Sequence, residues 1–416
     1  MLKKIIFNFL LIFLLPIYVY ASEGSLLRIG NKYYDSFLEA IANVGSNETI
    51  VLIDDIILDS SVNVNKTVNI DLNGNDIVSP TKVFLIDGGV LNLRGKGTIR
   101  ESKPEYGAVM LMGSNDPNDK DYSILNVGKD VTLEGWSGVF VNHKNGTAYG
   151  VKVNLDGKIK AINDTNGDNG IGVYVNGNIK NKENIPIINI SDNAYITSTG
   201  NGLYIAGNST FNISSAYING EESGIGIKSG NLNINGATVI SNGPDKTPTE
   251  GYNNGIRPSG TAIQIESNNG YVGDMNIDID SGSFKSKNSN VIYEYIGKGT
   301  STEVDSIDIS GGTFISEASK NIFSMSDSFN NKHSSFISGG NYSSNPSEYL
   351  KTGYNANLND DLYSVTKSTM LEVIDINSND SNNNILKVII TMISIIIISF
   401  LIYVNRYKLL KMFRKN

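Results

Sequence analysis

The chain has 416 residues, 42 acidic against 34 basic side chains, a net charge of −8, two His and no Cys. That balance disfavours nucleic acid and anionic lipid as partners. Zero Cys excludes disulfide staples and thiolate metal centres, so a large continuous core must hold the fold.

In chain order, Lys3 and Lys4 precede an apolar run from Ile5 to Ile17, and Val19-Tyr20-Ala21 supplies the small residues of a cleavage site. Residues 1–21 therefore read as a signal peptide, with the mature chain beginning at Ser22. Residues 22–68 read as an N-terminal cap with the first strands. Leu26 to Gly30 is a short strand and turn, and Ser36 to Glu39 is a capping box. Phe37, Leu38, Ala40, Ile41 and Val44 then form the apolar stripe of a helix of about two turns. Laid across an open repeat end, such a helix covers strand edges and core side chains. Thr49–Ile53 and Ile56–Leu58 follow as the first buried strands.

Residues 69–340 repeat one phrase: apolar, Asn or Asp, apolar, polar, often Gly. It reads IDLNG at Ile70, LNLRG at Leu91, LNVG at Leu125, VNLDG at Val153, INISD at Ile188, FNISS at Phe211 and LNING at Leu232. IDIDSG at Ile277 and IDISGG at Ile307 carry Asp in place of Asn. The period of two puts aliphatic side chains on one face and polar ones on the other. Intervals of 21, 34, 28, 35, 23, 21, 45 and 30 residues separate the copies, and polar insertions fill the longer ones. A second phrase interleaves with the first: GAVMLMG, GVFVN, IGVYVNG, GLYIAG, GIGIKSG and TAIQIES. Two strand phrases per turn with Asn- and Gly-rich corners predict an all-β fold, a right-handed parallel β-helix.

Residues 341–376 read as a C-terminal cap, with Asn345 before Pro346 opening a short helix and a hairpin around Asn359. Residues 377–384 form a polar linker. Residues 385–404 are apolar except for Lys387 and a few small polar residues, over a length of about 30 Å as a helix, enough to cross a bilayer. The tail 405–416 carries Arg406, Lys408, Lys411, Arg414 and Lys415, the mark of a cytoplasmic side. Both ends predict a single-pass cell-membrane protein whose body is extracellular. All 42 acidic residues lie in that body with 26 basic ones, since two of the 34 are in the leader and six lie at or after Lys387. Its net charge is therefore −16.

The opening, from Ile29-Gly30 through ETIVLIDDI and VNIDLNGNDI, resembles secreted bacterial β-helix proteins of the pectate-lyase-like superfamily. So does the ending, ISGGTF at Ile309 and ISGGNYSSNPSEYLKTGY at Ile337. The resemblance implies a cell-surface or adhesin-like protein, usually without an assigned reaction. Enzymes of that superfamily are polysaccharide lyases and hydrolases, which by resemblance need acidic Ca²⁺ ligands beside a base, or paired carboxylates.

Three constellations bear on chemistry. Asp278, Asp280 and Asp308 project from neighbouring phrases, with Arg257 and His333 as companions, and form the candidate catalytic set. Asp164, Asn166 and Asp168 alternate as at the start of a calcium loop, though Val175 stands where the closing Glu is needed. An Asn/Asp/Gly turn explains the same residues. In the interleaved phrase, Phe140, Tyr174 and Tyr204 align as an aromatic column on an outward face, suited to stacking on sugar rings unless loops bury it. The Asn ladder (Asn92, Asn126, Asn154, Asn189, Asn212, Asn233) reads as strand-stacking support. The functional reading is adhesion or recognition of a glycan or host surface, without catalysis or an obligate cofactor. A polysaccharide lyase or glycoside hydrolase is the alternative.

Overall fold

The computed structural model describes residues 24–177, 179–246, 260–299 and 302–368, with Thr391, Ile393 and Ser394. The expected leader, linker and tail, nearly all of the apolar span, and Arg257 lie outside the described residues. Among the described residues no helix is long and apolar enough to cross a membrane. The described chain is mostly β, in long parallel sheets consistent with a solenoid.

Each copy of the repeated phrase pairs in parallel with the next. Thr67–Asp71 lies beside Val90–Arg94, then Ser123–Val127, Val151–Leu155, Ile187–Ile190 and Thr210–Ser214. The ladder continues through Gly230–Ser241, Met275–Ser286 and Val304–Ile309. From Leu91 onward the sequence intervals are thus the chain lengths of successive passes. One register differs from the sequence reading: Asn69, not Asp71, pairs with Asn92. The phrase therefore begins at Val68, and the Asn ladder gains a rung.

The interleaved phrase forms its own ten-stranded parallel sheet, from Val62–Val64 through Ser137–Asn142, Ile171–Val175, Asn201–Ile205 and Ser223–Ile227 to Ile263–Asn268 and beyond. Between the two lies a ladder that the sequence reading lacked. Ile77–Ser79, Gly97–Glu101, Val131–Gly135, Lys158–Ala161, Tyr195–Ser198 and Tyr217–Gly220 stack in parallel, directly after the phrase in each pass. A pass therefore holds three strands, not two. In Gly230–Ser241 and Met275–Ser286 the first and second ladders fuse into continuous 12-residue strands with a register shift at Ile234/Asn235.

The inward side chains are aliphatic and buried: Leu91, Val153, Ile188, Phe211, Leu232 and Ile309 have no exposed surface. Each such burial contributes roughly 1.5–3 kcal/mol. In the second ladder Phe284, Phe314 and Tyr342 stack at 4.7 and 4.9 Å between ring centres.

Strand direction reverses at both ends. Leu27–Ile29 pairs antiparallel with both Lys32–Tyr34 and Thr49–Leu52. Helix α1 (Phe37–Asn43) follows, with Ser36 Oγ accepting from the Glu39 N–H. Near the other end, Ser364 and Tyr363 pair antiparallel with Asn341 and Tyr342. Helix α2 (Asp327–Lys332) is capped by Ser326, and Asn345 opens only a single 3₁₀ turn, Ser347–Tyr349. A second small unit comprises Gly353–Asn355 and the residues from Thr366 onward; within it the Ser368 N–H donates to the Gly353 carbonyl at 2.8 Å.

Candidate functional site

Parallel in-register strands place equal residues one above another at about 4.8 Å, close enough for side-chain amides to meet. On the outward face of the first ladder they do. Asn92 donates to Asn69, Asn126 to Asn92, Asn154 to Asn126, Asn189 to Asn154, Asn212 to Asn189 and Asn233 to Asn212, at 2.6 to 2.9 Å. The ladder has one polarity: every Nδ2 points to the Oδ1 of the preceding pass. Asn69 starts it by donating to the carbonyls of Ser46 and Glu48.

The ladder floors an open groove. One part, about 630 Å³, runs from Ser46 past Asn92, Arg94, Asn126, Asn154 and Asp156 to Asn189 and Ser191. A second part, about 330 Å³, shares Asn189 and Ser191 and continues to Asn233, Asp278 and Asp280. Two of the three candidate acids thus lie at the groove's far end.

The register sets Asp278 between Asn233 and Asp308. Asp308 is held by Lys351 at 2.7 Å, and Asp280 accepts from Ser310 Oγ at 3.0 Å. Partial burial raises the Asp278 pKa above the ordinary carboxylate value; Asp280 and Asp308 reinforce the shift and Lys351 opposes it. His333 does not join them: its Nε2 meets the Val304 carbonyl at 2.8 Å and its ring packs on Phe329.

Asp278 also interrupts the ladder. Continuing the polarity needs a donor facing Asn233 Oδ1, and an ionised carboxylate has none. Asp278→Asn should therefore extend the ladder and raise stability by about 0.5 kcal/mol, the low end for a hydrogen bond because the position is exposed. The linkage sign follows from the raised folded pKa. The stabilising contribution is complete below the unfolded carboxylate pKa and is lost as pH rises through the folded value. Thermal melts across pH should show the variant's advantage growing above the ordinary carboxylate range and fading in acid.

The aromatic column forms in the expected register but does not face solvent. Phe140 and Tyr174 stack at 4.8 Å and 15°, and Tyr204 follows at 5.3 Å. Phe140 is only 8% exposed and Tyr204 2%. Trp136 stands edge-on to Tyr174, and Tyr271 covers Tyr204 with the two hydroxyls 3.4 Å apart. Burial pushes the Tyr174 hydroxyl up to about 12. Of the two readings open in the sequence, an exposed platform or a face buried by loops, the rings follow the second, for two physical reasons. A loop carrying Tyr271 folds over this face, and rings stacked in register turn their faces on one another. The latter also holds for the more exposed pair Tyr195–Tyr217, 4.5 Å apart and 5° from parallel.

In the proposed calcium loop, Asp164 Oδ1 accepts from the backbone N–H groups of Asn166 and Asp168 at 2.8 and 2.7 Å, and the Asp164 N–H donates to the Asp168 carbonyl. The residues build a self-bonded turn. Among the described residues no group of three or more His, Asp or Glu is placed to hold a metal ion.

Sequence reasoning missed a buried polar cluster on the outward face of the third ladder. Lys228 Nζ lies 2.8 Å from Glu266 Oε2, both within the protein, with the rings of Tyr204 and Tyr271 about the ammonium at 5.4 and 5.1 Å. Tyr295 Oη also donates to Glu266, and Gln264 Nε2 to Tyr295. The signal was present: aligning GIGIKSG with TAIQIES puts Lys228 beside Glu266, as the pairing of Ile227 with Ile265 requires.

No family model matches the chain, and no curated protein or solved structure matches it.

Proposed function

We propose that the three ladders are the faces of a right-handed parallel β-helix, displayed outside a membrane by the C-terminal apolar segment, and that its Asn-floored groove recognises a glycan on a host or neighbouring surface. The observation that carries this reading is the groove itself. Each interior rung commits one amide N–H and one carbonyl lone pair to its neighbours, and an Asn amide has one more of each. A row of such spare donors and acceptors, repeating along an open channel, matches the paired hydroxyls of an extended sugar chain. The resemblance to pectate-lyase-like surface proteins points the same way. Stacking on aromatic faces plays little part, because the rings of this chain stack on each other.

A glycan array probed with the purified full-length chain, with and without calcium, tests the reading. Asn154→Leu with Asn189→Leu should weaken any hit roughly tenfold, since two sugar hydrogen bonds are worth about 0.5–1.5 kcal/mol each. Absence of any hit, or hits unaffected by the double substitution, would set the groove aside as a ligand site. A second reading, glycoside hydrolysis, is favoured by the raised pKa of Asp278 and by its pairing with Asp308 at the strand spacing. That spacing, about 4.8 Å, is near the roughly 5–5.5 Å of a retaining carboxylate pair. Shortened products from a bound glycan, lost on Asp278→Asn, would mark it.

A further inference from the structure

The buried cluster of the third ladder holds an amine, a carboxamide and a carboxylate in one enclosure. Glu266 joins the other two: its Oε2 is 2.8 Å from Lys228 Nζ and its Oε1 accepts from Asn268 Nδ2 at 2.6 Å. All three side chains are buried. The Gly270 N–H donates to Asn268 Oδ1 at 2.8 Å, and so polarises the amide carbonyl. Gly297 on the neighbouring strand gives Glu266 its room, because a Cβ there would overlap the carboxylate.

From this arrangement we infer that Lys228 and Asn268 form an intramolecular isopeptide bond, with Glu266 as the proton carrier. In a site shielded from water, an ion pair is costly, and moving the proton from Nζ to Oε2 neutralises both partners. The free amine attacks Asn268 Cγ while the Gly270 N–H meets the charge that develops on Oδ1. Glu266 gives its proton to Nδ2 and takes one from Nζ, the Cγ–Nδ2 bond breaks, and nitrogen leaves as ammonia, with Glu266 left protonated and neutral. One C–N bond forms and one breaks, with no oxidant or reductant. The product replaces a buried charge pair with a neutral amide. It also ties the strand Ser223–Ile227 to Ile263–Asn268 across the longest interval between passes.

The intact mass of the full-length chain, followed by peptide mapping, tests this. The expected result is a chain lighter by one ammonia molecule and a branched peptide joining Lys228 to Asn268. Glu266→Gln should recover the full mass with both residues in linear peptides. A succinimide at Asn269-Gly270 gives the same mass loss without a branch, so a light chain yielding only linear peptides overturns the inference. So does a wild-type chain of unmodified mass, and that measurement does not depend on any variant folding.

Discussion

Replacing Phe314 by Ala should destabilise the fold by about 3–5 kcal/mol, the range for deleting a fully buried aromatic side chain. Phe314 has no exposed surface and lies between Phe284 and Tyr342, nearly parallel to both at 11° and 3°. Truncation removes two stacked contacts at once. The passes on either side are hydrogen-bonded strands that do not collapse easily, so the vacated space persists. Urea titration should show a lower midpoint with little change in slope. Phe314→Leu should cost less, because it refills most of the volume without the ring contacts. Equal losses for the two variants would mean that stacking, rather than volume, holds this stretch.

A second large effect is expected at Gly202. Gly138, Gly172, Gly202 and Gly224 occupy one inward column of the third ladder, and each faces a branched side chain of the second: Ile159, Ile196, Ile218 and Val239. A Cβ on Gly202 would overlap Ile218 and approach the Gly224 carbonyl to 2.7 Å. Gly202→Ala should therefore cost about 1–3 kcal/mol through overpacking. Adding Ile218→Ala should recover part of that loss, although Ile218→Ala alone opens a cavity. A double-mutant cycle by denaturation measures this; strict additivity would disprove the contact.

That column also explains why the interleaved phrase could be read from sequence. Four of the six copies carry Gly at this position because the second ladder fills the space a side chain would take, so GVFV, GVYV, GLYI and GIGI share a visible signature; the small residues Ala108 and Ala262 hold it in the outer two. The repeated phrase is equally plain, because the amide ladder demands Asn at one outward position while aliphatics fill the interior. The second ladder carries no such demand. Its outward residues at one rung position are Thr98, Thr132, Lys158, Tyr195 and Tyr217, and short strands with two inward residues give no period to follow.

The candidate site was legible in register and illegible in burial. Phe140, Tyr174 and Tyr204 align as their phrases predict, and Asp278 aligns with Asp308. What covers an outward face is decided by insertions, and the loop that brings Tyr271 over Tyr204 has no repeat partner from which its path follows. The same loop turns Lys228 and Glu266, two ordinary outward positions, into a buried pair. The spacing of Asp164, Asn166 and Asp168 left two readings open for a related reason: alternating oxygens serve a cation or the loop's own amides equally well, and here Asp164 Oδ1 accepts from the amides.

The reversal of strand direction at both ends bears on how copies of this chain coexist when crowded together. A stack of identical parallel strands is an open template, and its last edge fits the first edge of another molecule. Leu27–Ile29 at one end and Ser364 beside Asn341 at the other pair with the terminal passes and occupy those edges, and Lys32–Tyr34 adds one strand more at the first end. The terminal passes are thereby paired within their own chain, which disfavours the joining of crowded molecules end to end into fibres along these ladders.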